Sequence, residues 1–305
     1  MKNIISTNQF NKEEIEAILS RSFQMEGDLL NHKAEKILKD KIVACIFFEP
    51  STRTRLSFET AAFRLGAKII SAENAMENTS AFKGETIEDT TRILCSYSDV
   101  VVMRHPTSGT LEKATIVATK PLINAGDGAN QHPTQGFLDL YTIKKEHGKL
   151  ENLTIGFGGD LLNSRTIRSL LPLLQHYSGN KFYFLSPKEL ALPRDFIKSL
   201  KDTGVEFEEL NNLEDKLPEL DVLYMTRVQK ERFENKEDYE NVKDLFIFRK
   251  EYLNKMKKSA IIMHPLPKIN EIETEVDLDP RAAYFRQAQN GLYVRMALLA
   301  YSLDL

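Results

Sequence analysis

Short apolar runs recur along the chain, and a stretch with helical spacing follows most of them. Alternation of this kind confines a chain to βαβ units and mainly parallel sheets flanked by helices, an α/β fold. The runs are Lys41–Phe48, Lys68–Ser71, Asp99–Arg104, Leu122–Ala125, Leu153–Asp160, Lys181–Leu185, Val205–Leu210, Asp221–Met225 and Ala260–Met263. Two charged amphipathic patterns lie between Asn11 and Leu38, before the first run. A helix capped by Thr134 and running toward His147 separates the first four runs from the rest, so it bridges two halves. The last pattern, Pro280 to Leu303, has a broad apolar stripe that Asn290-Gly291 interrupts, which predicts a kink there.

A chain of 305 residues accommodates two domains of ordinary size. With 42% hydrophobic and 28% charged residues it is too apolar for disorder. A net charge of −3 argues against nucleic-acid and anionic-membrane partners. Met1–Ser6 lacks the apolar core of a signal peptide, and no apolar run approaches the ~18 residues a bilayer demands, so a cytoplasmic protein is expected. Cys45 falls in a predicted strand and Cys95 in a predicted helix, which reads as two buried free thiols rather than a disulfide or zinc site.

The first strand runs into Glu49-Pro50-Ser51-Thr52-Arg53-Thr54-Arg55, and helical spacing follows as far as Gly66. Pro50 cannot continue the ladder, so the turn starts there. The helix start behind it leaves backbone N–H groups unpaired at the positive end of a dipole, a ready anion site. Ser51, Thr52 and Thr54 add hydroxyls, and Arg53 and Arg55 add charge. Capping alone would not call for so many donors, and a dianionic phosphate suits them. The P-loop spacing is absent.

Ligands of parallel sheets sit beyond the carboxyl ends of the strands. Arg104 ends the third run, and His132 and Gln135 follow the fourth. His132 reads equally as a structural and as a catalytic imidazole. The polar stretch Glu73–Gly84 is either a flexible surface loop or a functional one. Arg165, Arg227 and Gln229 follow strand ends in the second half, as a charged solvated loop or as a crevice for a small polycarboxylate. His264-Pro265-Leu266-Pro267-Lys268 ends the last strand with a rigid backbone. Gly156-Phe157-Gly158 tempts a nucleotide-fold reading, but Leu161 stands where a third glycine belongs.

Five motifs, spread over essentially the whole chain, resemble the aspartate/ornithine carbamoyltransferase family: Ser51–Arg55, Val102–His105, His132-Pro133-Thr134-Gln135, Thr226-Arg227-Val228-Gln229 and His264-Pro265-Leu266-Pro267. Ornithine-specific members carry Cys in the His-Pro-x-Gln and His-x-Leu-Pro motifs, at the places of Thr134 and Pro265, so the resemblance sides with the aspartate branch. It implies two α/β domains with the active site in the cleft between them: 1–133 plus 290–305 for carbamoyl phosphate, and 134–289 for aspartate. The implied reaction is carbamoyl transfer from carbamoyl phosphate to the α-amino group of L-aspartate, an early step of pyrimidine synthesis, with no metal or organic cofactor.

The resemblance also assigns roles. Ser51, Thr52, Arg53 and Thr54 would hold the phosphate, while Arg104, His132 and Thr54 would donate to the carbonyl oxygen. Gln135 would orient the carbamoyl amide, with Leu266 and Pro267 accepting through their carbonyls. Arg165, Arg227 and Gln229 would take the aspartate carboxylates. Family members are homotrimers with shared sites, and this makes Glu73–Gly84 a functional loop. Lys83 and either Thr79 or Ser80 would reach a neighbour's site from it. Regulatory chains are compatible with such a trimer. Two departures stand out: Lys268 replaces a usual Arg, and Thr79 a usual Ser.

Overall fold

The computed structural model describes residues 2–78, 83–230, 233, 235–242 and 246–305. The chain divides into two compact units, one running to Tyr141 and adding Arg168–Leu173 and Gln289–Leu305, the other Thr142–Ile167 with Leu174–Ala288.

The elements before the second unit's sheet are α1 (Lys12–Leu30), β1 (Ile42–Phe47), α2 (Thr52–Arg64), β2 (Lys68–Glu73), α3 (Ala75–Asn78), α4 (Ile87–Tyr97), β3 (Val100–His105), α5 (Thr110–Val117), β4 (Leu122–Asp127) and α6 (Pro133–His147). The first unit's sheet is parallel, in the order β2-β1-β3-β4. Val43–Phe47 and all of β4 are buried, as strands covered on both faces must be. β2, at the edge, stays largely exposed. The chain start adds a short parallel bridge beside β4, with Ile4 N–H donating to Leu122 O at 2.8 Å, an element with no sequence signal of its own.

The second unit supplies β5 (Thr154–Gly158), the two ends of α7 (Arg165–Leu174), β6 (Lys181–Leu185), α8 (Arg194–Asp202), β7 (Glu206–Leu210), β8 (Val222–Met225), α9 (Lys236–Val242), β9 (Ile261–Met263) and the start of α10 (Tyr284–Ser302). Its sheet is also parallel, ordered β7-β6-β5-β8-β9. Glu206, Glu208 and Glu209 on β7 keep that edge charged, which blocks strand addition. Cys45 on β1 and Cys95 on α4 are buried and free, and burial drives the Cys45 thiol well above its ordinary pKa.

Two expectations are corrected. The segment 11–38 contains one helix, α1, opened by an Asn11–Glu14 capping box. It ends at Leu30 because His32 takes φ +57° and the chain turns away. Thr134 does not cap α6, since Pro133 already occupies its first position, where a missing N–H costs nothing. The helix α10 runs continuously through Asn290-Gly291.

Gly136 lets α6 and α7 approach: a Cβ there would stand 2.6 Å from Ser169 O. Gly159, just past β5, has φ +109°, and a Cβ would meet Thr226 O at 2.0 Å. Gly159→Ala therefore costs at least about 2 kcal/mol from backbone strain and displacement of the β8 end. Thermal unfolding should show a clearly lowered Tm, and an unchanged Tm would refute the crowding.

Candidate active site

The first unit gathers its site residues at the carboxyl ends of β1, β3 and β4. Ser51 is the N-cap of α2, yet its hydroxyl makes no capping bond. Thr52 and Arg53 are exposed, while Thr54 faces inward and is buried. Its Oγ1 lies 3.5 Å from His132 Nε2, so two motifs far apart in sequence meet. His132 is held on its other sides too. Its backbone N–H donates to Ser169 Oγ at 2.8 Å, and Ser169 Oγ donates to Gln131 Oε1 at 3.0 Å. Thr134 Oγ1 stands 3.5 Å from His132 Nδ1.

Arg104 is mostly buried at the end of β3, with its Nε 2.7 Å from Glu49 Oε1. The guanidinium is thus anchored by a carboxylate from the anion turn itself. Gln135 donates through Nε2 to Asp139 Oδ1 at 2.8 Å. Arg55 does not join the turn's free charge, as the sequence suggested. It bonds Glu59 at 3.0 Å and Glu73 at 2.9 Å, bracing α2 against the end of β2. Lys83 is exposed after α3, and no described contact joins it to Ser51–Thr54 of the same chain. Thr79 and Ser80 lie outside the described residues.

In the second unit Arg165 is the first residue of α7, while Arg227 and Gln229 follow β8. β5, which leads into α7, adjoins β8 in the sheet, so the turns that follow them are neighbours. A buried carboxylate organises them. Asp160 accepts from Asn163 N–H at 2.9 Å and from Gln229 N–H at 3.4 Å. Gln229 Nε2 then donates to Asn163 O at 2.9 Å. Burial pushes the Asp160 carboxyl up, and hydrogen bonds from Asn163 and Gln229 and the charge of Arg227 oppose that rise.

After β9 the chain makes a strained turn. Leu266 takes φ +53°, and the Leu266–Pro267 peptide is cis. A non-glycine residue in that φ region persists only where its surroundings hold it, and such outliers gather at functional sites. The holder is His264, whose Nδ1 accepts from Leu266 N–H at 2.8 Å. That bond requires Nδ1 to be unprotonated, so the imidazole carries its proton on Nε2, 2.7 Å from Glu271 Oε1. Burial keeps His264 neutral by drawing its pKa down, with Glu271 opposing. Lys268 pairs with Asp277 at 3.1 Å, a single contact in place of a bidentate one.

The sequence reading missed Glu49, Asp139, Asp160 and Glu271. It searched for donors to an anion, and carboxylates in such a search look like surface residues. Glu49 and Asp160 did carry a signal, since each directly follows a predicted strand or ends one. Among the described residues no group of three or more His, Cys, Asp or Glu side chains could hold a metal ion. No described helix is long and apolar enough to cross a membrane.

A family model described as aspartate/ornithine carbamoyltransferase, carbamoyl-P binding domain, matches residues 2–145, and its Asp/Orn binding domain counterpart matches 151–302. The aspartate carbamoyltransferase catalytic subunit of Clostridium novyi is 47% identical over 302 residues, 98% of this chain and 97% of that one. The solved catalytic subunit of M. jannaschii aspartate transcarbamoylase has TM-score 0.92 at 46% identity, covering 100% of this chain and 98% of its own. The Trypanosoma cruzi aspartate transcarbamoylase, solved with carbamoyl phosphate and aspartate, has TM-score 0.92 at 38% identity, covering 98% and 95%.

His105, His147 and His264 all have pKa values lowered by burial. An imidazole held neutral in this way contributes its stability in full above the unfolded value of about 6.5 and loses it as pH falls toward the lower folded value. Asp127 and Asp160, raised by burial, act in the opposite sense from the ordinary carboxylate value upward. Between pH 8 and 6 the histidines dominate, so Tm should fall by on the order of a few degrees as pH drops. A flat or rising Tm would show that these imidazoles titrate normally.

Proposed function

The chain belongs to the aspartate/ornithine carbamoyltransferase family, and on that premise we propose that it transfers the carbamoyl group of carbamoyl phosphate to the α-amino group of L-aspartate. The products are N-carbamoyl-L-aspartate and phosphate, and the reaction serves pyrimidine synthesis. The observation that carries the choice of acceptor lies in the second unit. Arg165, Arg227 and Gln229 follow adjacent strand ends, with Gln229 tied to a buried Asp160. Two guanidiniums suit two carboxylates, and Arg227 repels the cationic side chain of ornithine.

In this reading the amino nitrogen attacks the carbonyl carbon, and the carbonyl oxygen becomes an oxyanion before phosphate departs. Arg104, His132 and Thr54 donate to that oxygen. Thr54 and His132 already stand within 3.5 Å of one another, which supports a shared target. Ser51, Thr52, Arg53 and Thr54 receive the phosphate, whose charge grows as it leaves, at the N-terminus of α2. Gln135 orients the carbamoyl amide. The Leu266 and Pro267 carbonyls accept from amino groups, and the His264-held turn supports that role because it fixes both carbonyls in advance.

The carbamoyl-phosphate domain is assigned to 1–133 plus 290–305 and the aspartate domain to 134–289. Excluding water from two anionic substrates would strengthen each of these contacts. The active form is a homotrimer in the cytoplasm, and Lys83 with Thr79 or Ser80 enters the neighbouring chain's site. The exposure of Lys83 supports this. Regulatory chains are a further class of partner that such a trimer would admit.

Purified chain should convert carbamoyl phosphate with aspartate and give no product with ornithine. Product with ornithine would overturn the acceptor assignment. Mixing inactive Arg53→Ala chains with inactive Lys83→Ala chains should restore activity, because some mixed trimers contain an intact shared site. Persistent inactivity after mixing would rule out the shared site.

A further inference from the structure

Behind the anion turn lie a buried cation and a buried carboxylate that take no part in the steps of the reaction. Arg295 of α10 is 3% exposed, and its guanidinium lies 5.2 Å from the centroid of the Phe58 ring on α2. Gly291, one turn earlier, makes room for it: a Cβ there would stand 2.3 Å from Arg295 Nη1. Burial draws the Arg295 pKa down to about 10, and the charge of Asp139 opposes the fall. The guanidinium therefore stays charged at neutral pH. Asp139 is wholly buried on α6, one turn after Gln135, and accepts from Gln135 Nε2 at 2.8 Å. A carboxylate accepts hydrogen bonds and donates none. Gln135 must therefore turn its NH2 toward Asp139 and its carbonyl oxygen away.

We propose that Asp139, which holds the Gln135 side-chain NH2 at 2.8 Å, is a positioning residue that fixes the amide orientation of Gln135 and thereby makes the site select an acyl phosphate carrying an NH2 group. The inference rests on the proposed contact between Gln135 and the carbamoyl amide. That NH2 is a donor, so it needs Oε1 of Gln135. A reversed amide would set N–H against N–H. Asparagine at position 139 both donates and accepts, so it would satisfy either orientation and leave Gln135 undirected. Arg295 acts at one remove, as the buried positive charge set against the Asp139 carboxylate.

The test compares dissociation constants of three ligands, carbamoyl phosphate, acetyl phosphate and inorganic phosphate, by calorimetry on the full-length protein. Acetyl phosphate replaces the NH2 by a methyl group and keeps the rest. Wild type should prefer carbamoyl phosphate. In Asp139→Asn that preference should shrink roughly three- to tenfold, the worth of one hydrogen bond, while inorganic phosphate binds as before. Asp139→Asn leaves the Arg295 charge uncompensated, so the double variant Asp139→Asn/Arg295→Met, which removes both charges, is measured alongside and should show the same loss. Gln135→Ala separates contact from positioning. If it loses the preference while both Asp139 variants keep theirs, Gln135 contacts the amide and the positioning role is overturned. If Gln135→Ala keeps the preference, the role of Gln135 itself falls and the proposal with it. An equal weakening of all three ligands in the Asp139 variants would mark a purely structural carboxylate and also overturn it.

Discussion

Every strand of both sheets runs parallel to its neighbours, and most of what this protein can do depends on that constraint. Parallel strands cannot be joined by tight hairpins, so each connection travels back through a helix or a long excursion. All carboxyl ends therefore point one way within a sheet, and the turns that follow them cluster. Those turns also contain the helix starts, where unpaired N–H groups and the dipole favour negative charge. Ser51–Thr54, Arg104 and His132 in one unit, and Arg165, Arg227, Gln229 and Leu266 in the other, all occupy such positions. Distant motifs share an edge of each sheet because the topology leaves them no other place.

A concentration of cations and donors at a sheet edge would repel itself without counter-charges. The structure answers with carboxylates set one layer behind. Glu49 faces Arg104, Glu59 and Glu73 hold Arg55, Asp160 collects Asn163 and Gln229, and Glu271 stands against His264. None of these acids is suited to touch an anionic ligand. Each restricts a donor to one geometry, which lowers the reorganisation needed when substrate arrives. Removing one of these acids would leave its donor without the partner that restricts it. Such acids are thus as integral to the site as the residues they hold.

This arrangement explains what was legible in the sequence. The strands were legible because β1, β3, β4 and β5 are covered on both faces and read as continuous apolar runs. The anion turn was legible because hydroxyls and guanidiniums crowd five consecutive residues. Arg55 was misread as free charge because its partner Glu73 lies at the end of the neighbouring strand, a contact set by register rather than by local spacing. Gly291 looked like a helix defect, yet it is a space for the Arg295 guanidinium four residues on. The turn at His32 depends on a single left-handed residue and left no compositional trace. Asp139 and Glu271 were illegible for a related reason. A buried carboxylate differs from a surface one by its surroundings, and those are created by folding.

The two thiols carry a practical consequence. The sequence contains two cysteines, and both lie in the interior of one unit, on β1 and α4. Burial holds the Cys45 thiol in its protonated, unreactive form at any ordinary pH. The native chain is therefore already a quiet background for thiol chemistry. A pair of cysteines introduced on exposed helix positions, one in each unit, would accept fluorophores or spin labels with no native residue to remove. Such a labelled protein would turn the separation of the two units into a quantity that can be followed while the enzyme turns over.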